Sequence, residues 1–135
     1  MLMKERLAPG LRALGCKGSA GRFLLPSDAF WSFIGFQKSA YSDAKEVQVT
    51  VNLSAIPRQV WQEQRDQSPH LPEKPSPSTF YGSWAPQTRI GDLLPDGEDK
   101  WWRVVADGQN AAVANDLLAG IEAYGLPWLR QQMHG

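Results

Sequence analysis

The stretch from Phe30 to Leu53 constrains the fold of this chain more than any other. Its second half alternates strictly: Val47, Val49, Val51 and Leu53 are apolar, while Glu46, Gln48, Thr50 and Asn52 between them are polar. Successive side chains of a strand point to opposite faces, so residues 46–53 should offer one face to a core and the other to water. The first half, Ala29 to Lys38, has Phe30, Ile34 and Phe36 opposing Trp31 and Phe33, so both of its faces are apolar near the start. A strand covered on both sides belongs inside a sheet and not at its edge. A polar turn, Ser39 to Lys45, joins the two.

Around this pair the remaining elements follow from spacing and punctuation. Residues 3–14 carry Leu7, Leu11 and Leu14 at helical intervals, with Pro9 and Gly10 inside the pattern. Proline has no N–H and clashes with the preceding turn, so this helix starts near Ala8 or kinks. Gly15 is placed to end it, Cys16 to Gly21 reads as a small-residue connector, and Arg22 to Leu25 as a short strand that turns at Pro26-Ser27-Asp28. Beyond Pro57, Arg58 to Arg65 suits a short polar helix anchored by Val60 and Trp61. The segment 66–79 holds the proline-rich run Ser68 to Ser78, expected to be extended and solvated with polyproline-II character. Gln87 to Gly91 and Lys100 to Val105 read as strands separated by the charged turn Asp96 to Asp99. The clearest helix is Asn110 to Tyr124, with Val113, Leu117, Leu118, Ile121 and Tyr124 on one face. Asp107 is its expected N-cap, Gly125 its C-cap and Pro127 its stop, after which Leu126, Trp128 and Leu129 fold back to close the core.

Composition narrows the function classes. At 135 residues the chain fits one domain, residues 1–135, with six tryptophans to supply burial. A formal net charge of zero lacks the basic footprint of a nucleic-acid binder. No apolar run approaches the roughly 20 residues of a membrane span. The single cysteine, Cys16, excludes an internal disulfide and a zinc site of paired cysteines, and points to the cytoplasm. Ala13-Leu14-Gly15-Cys16 faintly resembles a lipoprotein cleavage site, but Pro9, Gly10 and Arg12 break the apolar core such a site requires.

Few residues have the surroundings that chemistry needs. His70 lies in the proline-rich segment and His134 is penultimate, so neither is held against a partner. Asp92, Asp96, Glu98 and Asp99 lack the spacing of a calcium loop. Pro69, Pro72 and Pro75 would line one edge of a polyproline helix, a pattern shared by recognition peptides and plain linkers. Neither a nucleophile elbow nor a phosphate-binding glycine loop is present, and nothing calls for a cofactor or a metal. The most suggestive group is Trp101-Trp102 between Lys100 and Arg103: in a strand one ring would be buried and the other left in a groove or in water.

Gly15-Cys16-Lys17, Gln37-Lys38-Ser39, Val51-Asn52-Leu53, Arg89-Ile90-Gly91-Asp92 and Trp101-Trp102 follow one another in an order that resembles a bacterial family of uncharacterised proteins, the domain of unknown function numbered forty-three-oh-four. The chain departs from that pattern at Cys16, where an aromatic residue is expected, and at Pro9-Gly10 in the first helix. The resemblance implies a fold and a bacterial source, and brings no activity with it. Its recurrent polar residues can be weighed physically. Lys38 and Arg89, projecting from the same sheet edge or face with Gln37 and Asn52 nearby, could grip an anion; equally, Arg89 could pair with Asp92 or Glu46.

The expectation is an α+β domain: an antiparallel sheet of four to five strands with the N-terminal and C-terminal helices on one face. The leading functional expectation is a non-enzymatic, immunity- or adaptor-like module in a bacterial cytoplasm that binds another protein. The second is a small-ligand or anion-binding protein, with or without catalysis, that uses Lys38, Arg89 and Trp101 or Trp102. Gln37, Lys38, Asn52, Arg89, Trp101 and Trp102 are therefore the candidate binding residues. The two readings differ in surface: a ligand site should be a concavity where these side chains converge, a protein-binding module a flatter apolar patch.

Overall fold

The computed structural model describes residues 6–19, 21–40, 42–43, 45–77, 79–105 and 110–134. The aromatic strand β3 (Phe30–Lys38) and the alternating strand β4 (Glu46–Pro57) pair antiparallel along nearly their whole length, from Phe30 opposite Pro57 to Lys38 opposite Val49. β3 is interior, as its two apolar faces require. Its other neighbour is β2 (Arg22–Leu24), which pairs outward with β1 (Lys17–Ser19). The free side of β4 holds two short strands end to end: β6 (Trp102–Val105) against Glu46–Val49, and β5 (Gln87–Arg89) against Asn52–Ser54. The chain is thus an α+β domain whose described residues form an open antiparallel sheet of six strands. The added strand is β1, read from sequence as a connector, because three small or polar residues carry no alternation.

The face of Val51, Leu53 and Ala55 is covered by helices. α1 (Ala8–Ala13) places Pro9 in its first turn, where the missing N–H costs no hydrogen bond, and buries Leu11. Gly15 follows with φ 95°, a left-handed conformation that glycine adopts without strain. α3 (Ala111–Gly120) supplies Ala114 and Leu117. The expected stop after it does not occur. Pro127 has no N–H for the preceding turn, and one wide π turn, Ile121–Gly125, leads straight into α4 (Leu126–His134). Gly125 is buried against Leu53 without a left-handed backbone, so it is no cap. Tyr124, assigned to the apolar face, is 37% exposed, because the wide turn shifts the helical register. Leu126 and Leu129 do close the core. The expected Asp107 cap lies outside the described residues.

The opposite face has a smaller aromatic cluster at one end. α2 (Arg58–Gln67) begins directly after β4 and drops Trp61 onto Ile56, with Trp31, Tyr81 and Trp84 packed around them. Trp61 lies 4.9 Å from Tyr81 and 6.1 Å from Trp84 between ring centroids. The Trp61 Nε1–H donates to the carbonyls of both Pro72 (3.2 Å) and Glu73 (3.0 Å), and the backbone N–H of Ser76 donates to the Tyr81 hydroxyl (2.8 Å). The proline-rich segment is therefore strapped to this cluster through Pro72, Glu73 and Ser76, with Pro75 buried, while Pro69, His70, Pro72, Glu73 and Lys74 stay exposed as its composition suggested. Prolines cannot join a ladder, but their carbonyls still accept hydrogen bonds.

Candidate functional site

Strand register decides which of the candidate residues meet. Asn52 stands opposite Gly35 on one side and Arg89 on the other, and Gln37 shares the face of Gly35. Gln37, Asn52 and Arg89 therefore project from the same side of the sheet, the side that carries the aromatic cluster and no C-terminal helix. The Asn52 Nδ2–H donates to Gln37 Oε1 (2.8 Å). Arg89 donates through Nε to Asn52 Oδ1 and through one terminal nitrogen to Gln37 Oε1, both at 3.4 Å. Its other terminal nitrogen reaches Asp99 Oδ2 at 3.0 Å. The same carboxylate oxygen accepts the Trp101 Nε1–H at 2.8 Å, and the guanidinium lies 5.3 Å from the Trp101 ring centroid. Residues far apart in sequence thus form one hydrogen-bonded network.

Two candidates fall elsewhere. Lys38 is one residue beyond Gln37 and so on the other face, in a row with Val49 and Trp102. The expectation that Lys38 and Arg89 share a face is overturned by the period of two. Trp102 is 5% exposed, and its Nε1–H donates to Asp116 Oδ2 at 2.7 Å, so it belongs to the helix-side core. Trp101 is the half-buried ring beside Arg89 and Asp99. Nor does Arg89 pair with Asp92 or Glu46: Asp99 takes it, and Glu46 is held by Arg103 through two contacts of 2.7 and 2.6 Å. That contact, strongest as a hydrogen bond, draws the Glu46 carboxyl below its ordinary value.

Gly91 explains how Asp99 reaches Arg89. After β5 the chain enters a 3₁₀ turn, Ile90–Leu93, in which Ile90 is fully buried and Gly91 lies under the acidic turn. A side chain on Gly91 would run into the Glu98 carbonyl, and would sit 2.7 Å from the Lys100 nitrogen and 2.8 Å from Asp99 Cα. Only glycine lets the two segments lie this close, and their contact sets Asp99 over the guanidinium.

Gln37, Asn52 and Arg89 line a concavity of about 360 Å³, walled further by Pro77, Thr79, Phe80, Gln87, Thr88 and Asp92. This volume is at the lower end for small-ligand sites, which run to roughly 300–1,000 Å³. Phe80 is the residue that sequence reasoning missed. It is 76% exposed, far more than any other large apolar side chain among the described residues. Nothing in its local sequence marks it, since it flanks the proline-rich segment without periodicity. Gln87 braces this wall, accepting from the Tyr81 N–H (2.9 Å) and donating to the Thr79 carbonyl (2.7 Å).

The other reactive types are placed differently. Cys16 is buried at the end of α1, and burial pushes its thiol above the ordinary value of 9.0, with Arg130 opposing. His70 and His134 are exposed and line no part of the concavity. Among the described residues no group of three or more His, Cys, Asp or Glu could hold a metal ion, and no helix is long and apolar enough to cross a membrane.

Fold and site together define an α+β domain with an open sheet face and a polar concavity on it. The chain belongs to the family described as "Domain of unknown function (DUF4304)", whose model matches residues 7–131. No curated protein and no solved structure matches it.

Proposed function

We propose that this domain is a binding module that receives a small polar ligand, or the polar end of a partner, in the concavity of Gln37, Asn52 and Arg89. One observation carries the reading: three hydrogen-bonding side chains from three strands converge in a recess with an exposed Phe80 in its wall. A fixed polar cluster beside an unclaimed aromatic ring gives both orientation and contact area. The protein partner expected from the sequence, in a bacterial cytoplasm, remains part of the proposal in that form. The other exposed large apolar residues, Val105 and Tyr124, come from separate elements and support a flat docking patch less well.

A library of metabolites and short peptides, followed by the backbone amide spectrum of the full chain, tests this. A binder should move the amides of Gln37, Asn52, Thr88 and Arg89, and Arg89→Gln should abolish those shifts in a protein whose spectrum stays dispersed. Binders that act only elsewhere on the surface, or none from either library, would remove the concavity as the functional site.

A further inference from the structure

We propose that the ligand presents a carboxylate, and that Asp99 is the internal anion this carboxylate replaces on Arg89. The inference rests on the binding reading above and names its chemistry.

Hydrogen-bond polarity points to it first. A guanidinium can only donate, so both amide oxygens, Gln37 Oε1 and Asn52 Oδ1, are drawn to Arg89. Asn52 spends one N–H on Gln37, and Arg89 spends three donors on Asn52, Gln37 and Asp99. The remaining N–H groups of Gln37, Asn52 and Arg89 have no acceptor among the described residues. The cluster is therefore a donor wall, and its complement is a planar group with two acceptor oxygens, as a carboxylate has.

Charge then selects among anions. Among the described residues Arg89 is the one cation lining the concavity, and Asp92 lines it too. A doubly charged phosphate would outweigh the guanidinium and face Asp92. A single carboxylate that takes the place of Asp99 leaves the charge around Arg89 as it was.

Asp99 already shows where such a group sits, 3.0 Å from Arg89 and 2.8 Å from the Trp101 indole nitrogen. Its side chain is 50% exposed and that of Arg89 35%, so water screens the pair and an incoming carboxylate can reach it. Phe80 and Pro77, which line the concavity with Arg89, suit an apolar body behind the carboxylate. Such a group occurs on free organic acids and at the C-terminus of a polypeptide.

The experiment titrates the full chain with N-acetylphenylalanine, N-acetylphenylalaninamide and inorganic phosphate, and with a pentapeptide ending in phenylalanine whose terminus is free or amidated. Amide shifts at Gln37, Asn52 and Arg89 report binding. The acids should bind about tenfold or more tightly than their amides, the scale of one lost charged hydrogen bond, and phosphate should not bind. Asp99→Asn should tighten the acids severalfold, and Arg89→Gln should lose them. A stronger response from the free-terminus peptide assigns a chain end, one from the acetylated amino acid a small acid; both support the proposal. Equal binding of acid and amide at these residues would overturn the carboxylate while leaving the concavity as a site. Asp99→Asn weakening the acids as Arg89→Gln does would make Asp99 a positioning residue and overturn the exchange. Silence from all five probes would overturn the inference, whereas the binding reading falls only with the library screen.

Discussion

The two faces of β4 are made by alternate residues of one strand, yet they hold the protein together in different ways. Val51, Leu53 and Ala55 meet α1, α3 and α4 in a core where side chains are fully excluded from water. Thr50, Asn52 and Ser54, one residue away in each case, face the side of the aromatic cluster, where Thr50 and Ser54 are buried and Asn52 opens to the recess. Thr50 is spent on structure, its hydroxyl donating to the Lys100 carbonyl at 2.6 Å, and Asn52 enters the Arg89 network. The first face derives its stability from apolar area removed from water, the second its order from directed hydrogen bonds of modest net worth. A strand with one such face can keep a polar, partly open recess because the other face supplies the stability.

The largest expected effect tests that division directly. Leu53→Ala removes a side chain that is 1% exposed from the helix-side core, and should cost about 2–5 kcal/mol in denaturant unfolding. Asn52→Ala, the adjacent residue on the other face, loses two hydrogen bonds, one of them a long contact to Arg89, and should cost about 1–2 kcal/mol. If the two substitutions cost the same, the division of labour between the faces is wrong. Gly91→Ala should come between them. Its Cβ meets backbone atoms of Asp99 and Lys100, which cannot rotate away, so the acidic turn must shift; overpacking of this kind costs about 1–3 kcal/mol. Because the turn carries Asp99, the Trp101 indole N–H resonance should move as well. A Gly91→Ala protein of unchanged stability and unchanged indole resonance would show that this contact does not set Asp99 in place.

How far the sequence could be read follows the same division. The period of two in residues 46–53 assigned Val47, Val49, Val51 and Leu53 to one face correctly, since burial writes itself into composition. It also carried the means to separate Gln37 from Lys38, but nearness in sequence grouped them. The network of Gln37, Asn52, Arg89 and Trp101 could be listed from sequence, whereas its wiring through Asp99 could not, because it depends on Gly91 holding two loops together. Phe80, the strap over Trp61 and the run of α3 into α4 were not legible. Each depends on partners distant in the chain: backbone carbonyls for Trp61, and a core deep enough to draw Leu126 and Leu129 inward past Pro127.

The smallest expected effect separates the faces by pH. Cys16 lies in the helix-side core, and its thiol is pushed up by burial, so the folded state holds its proton more tightly than the unfolded chain does. As pH rises, the unfolded thiol ionises first, near its ordinary 9.0, and stability falls from there upward. Glu46, on the opposite face beside Arg103, is shifted down instead. Its contribution is present above the ordinary 4.5 and fades as pH falls below it. Cys16→Ala should therefore flatten the alkaline side of a melting-temperature profile and leave the acid side alone, and Glu46→Gln should do the reverse by a smaller margin, since its pair sits in water. Profiles for wild type and Cys16→Ala that stay parallel above pH 9 would mean the thiol is in contact with water, and that the helix-side face is wetter at the end of α1 than its packing implies.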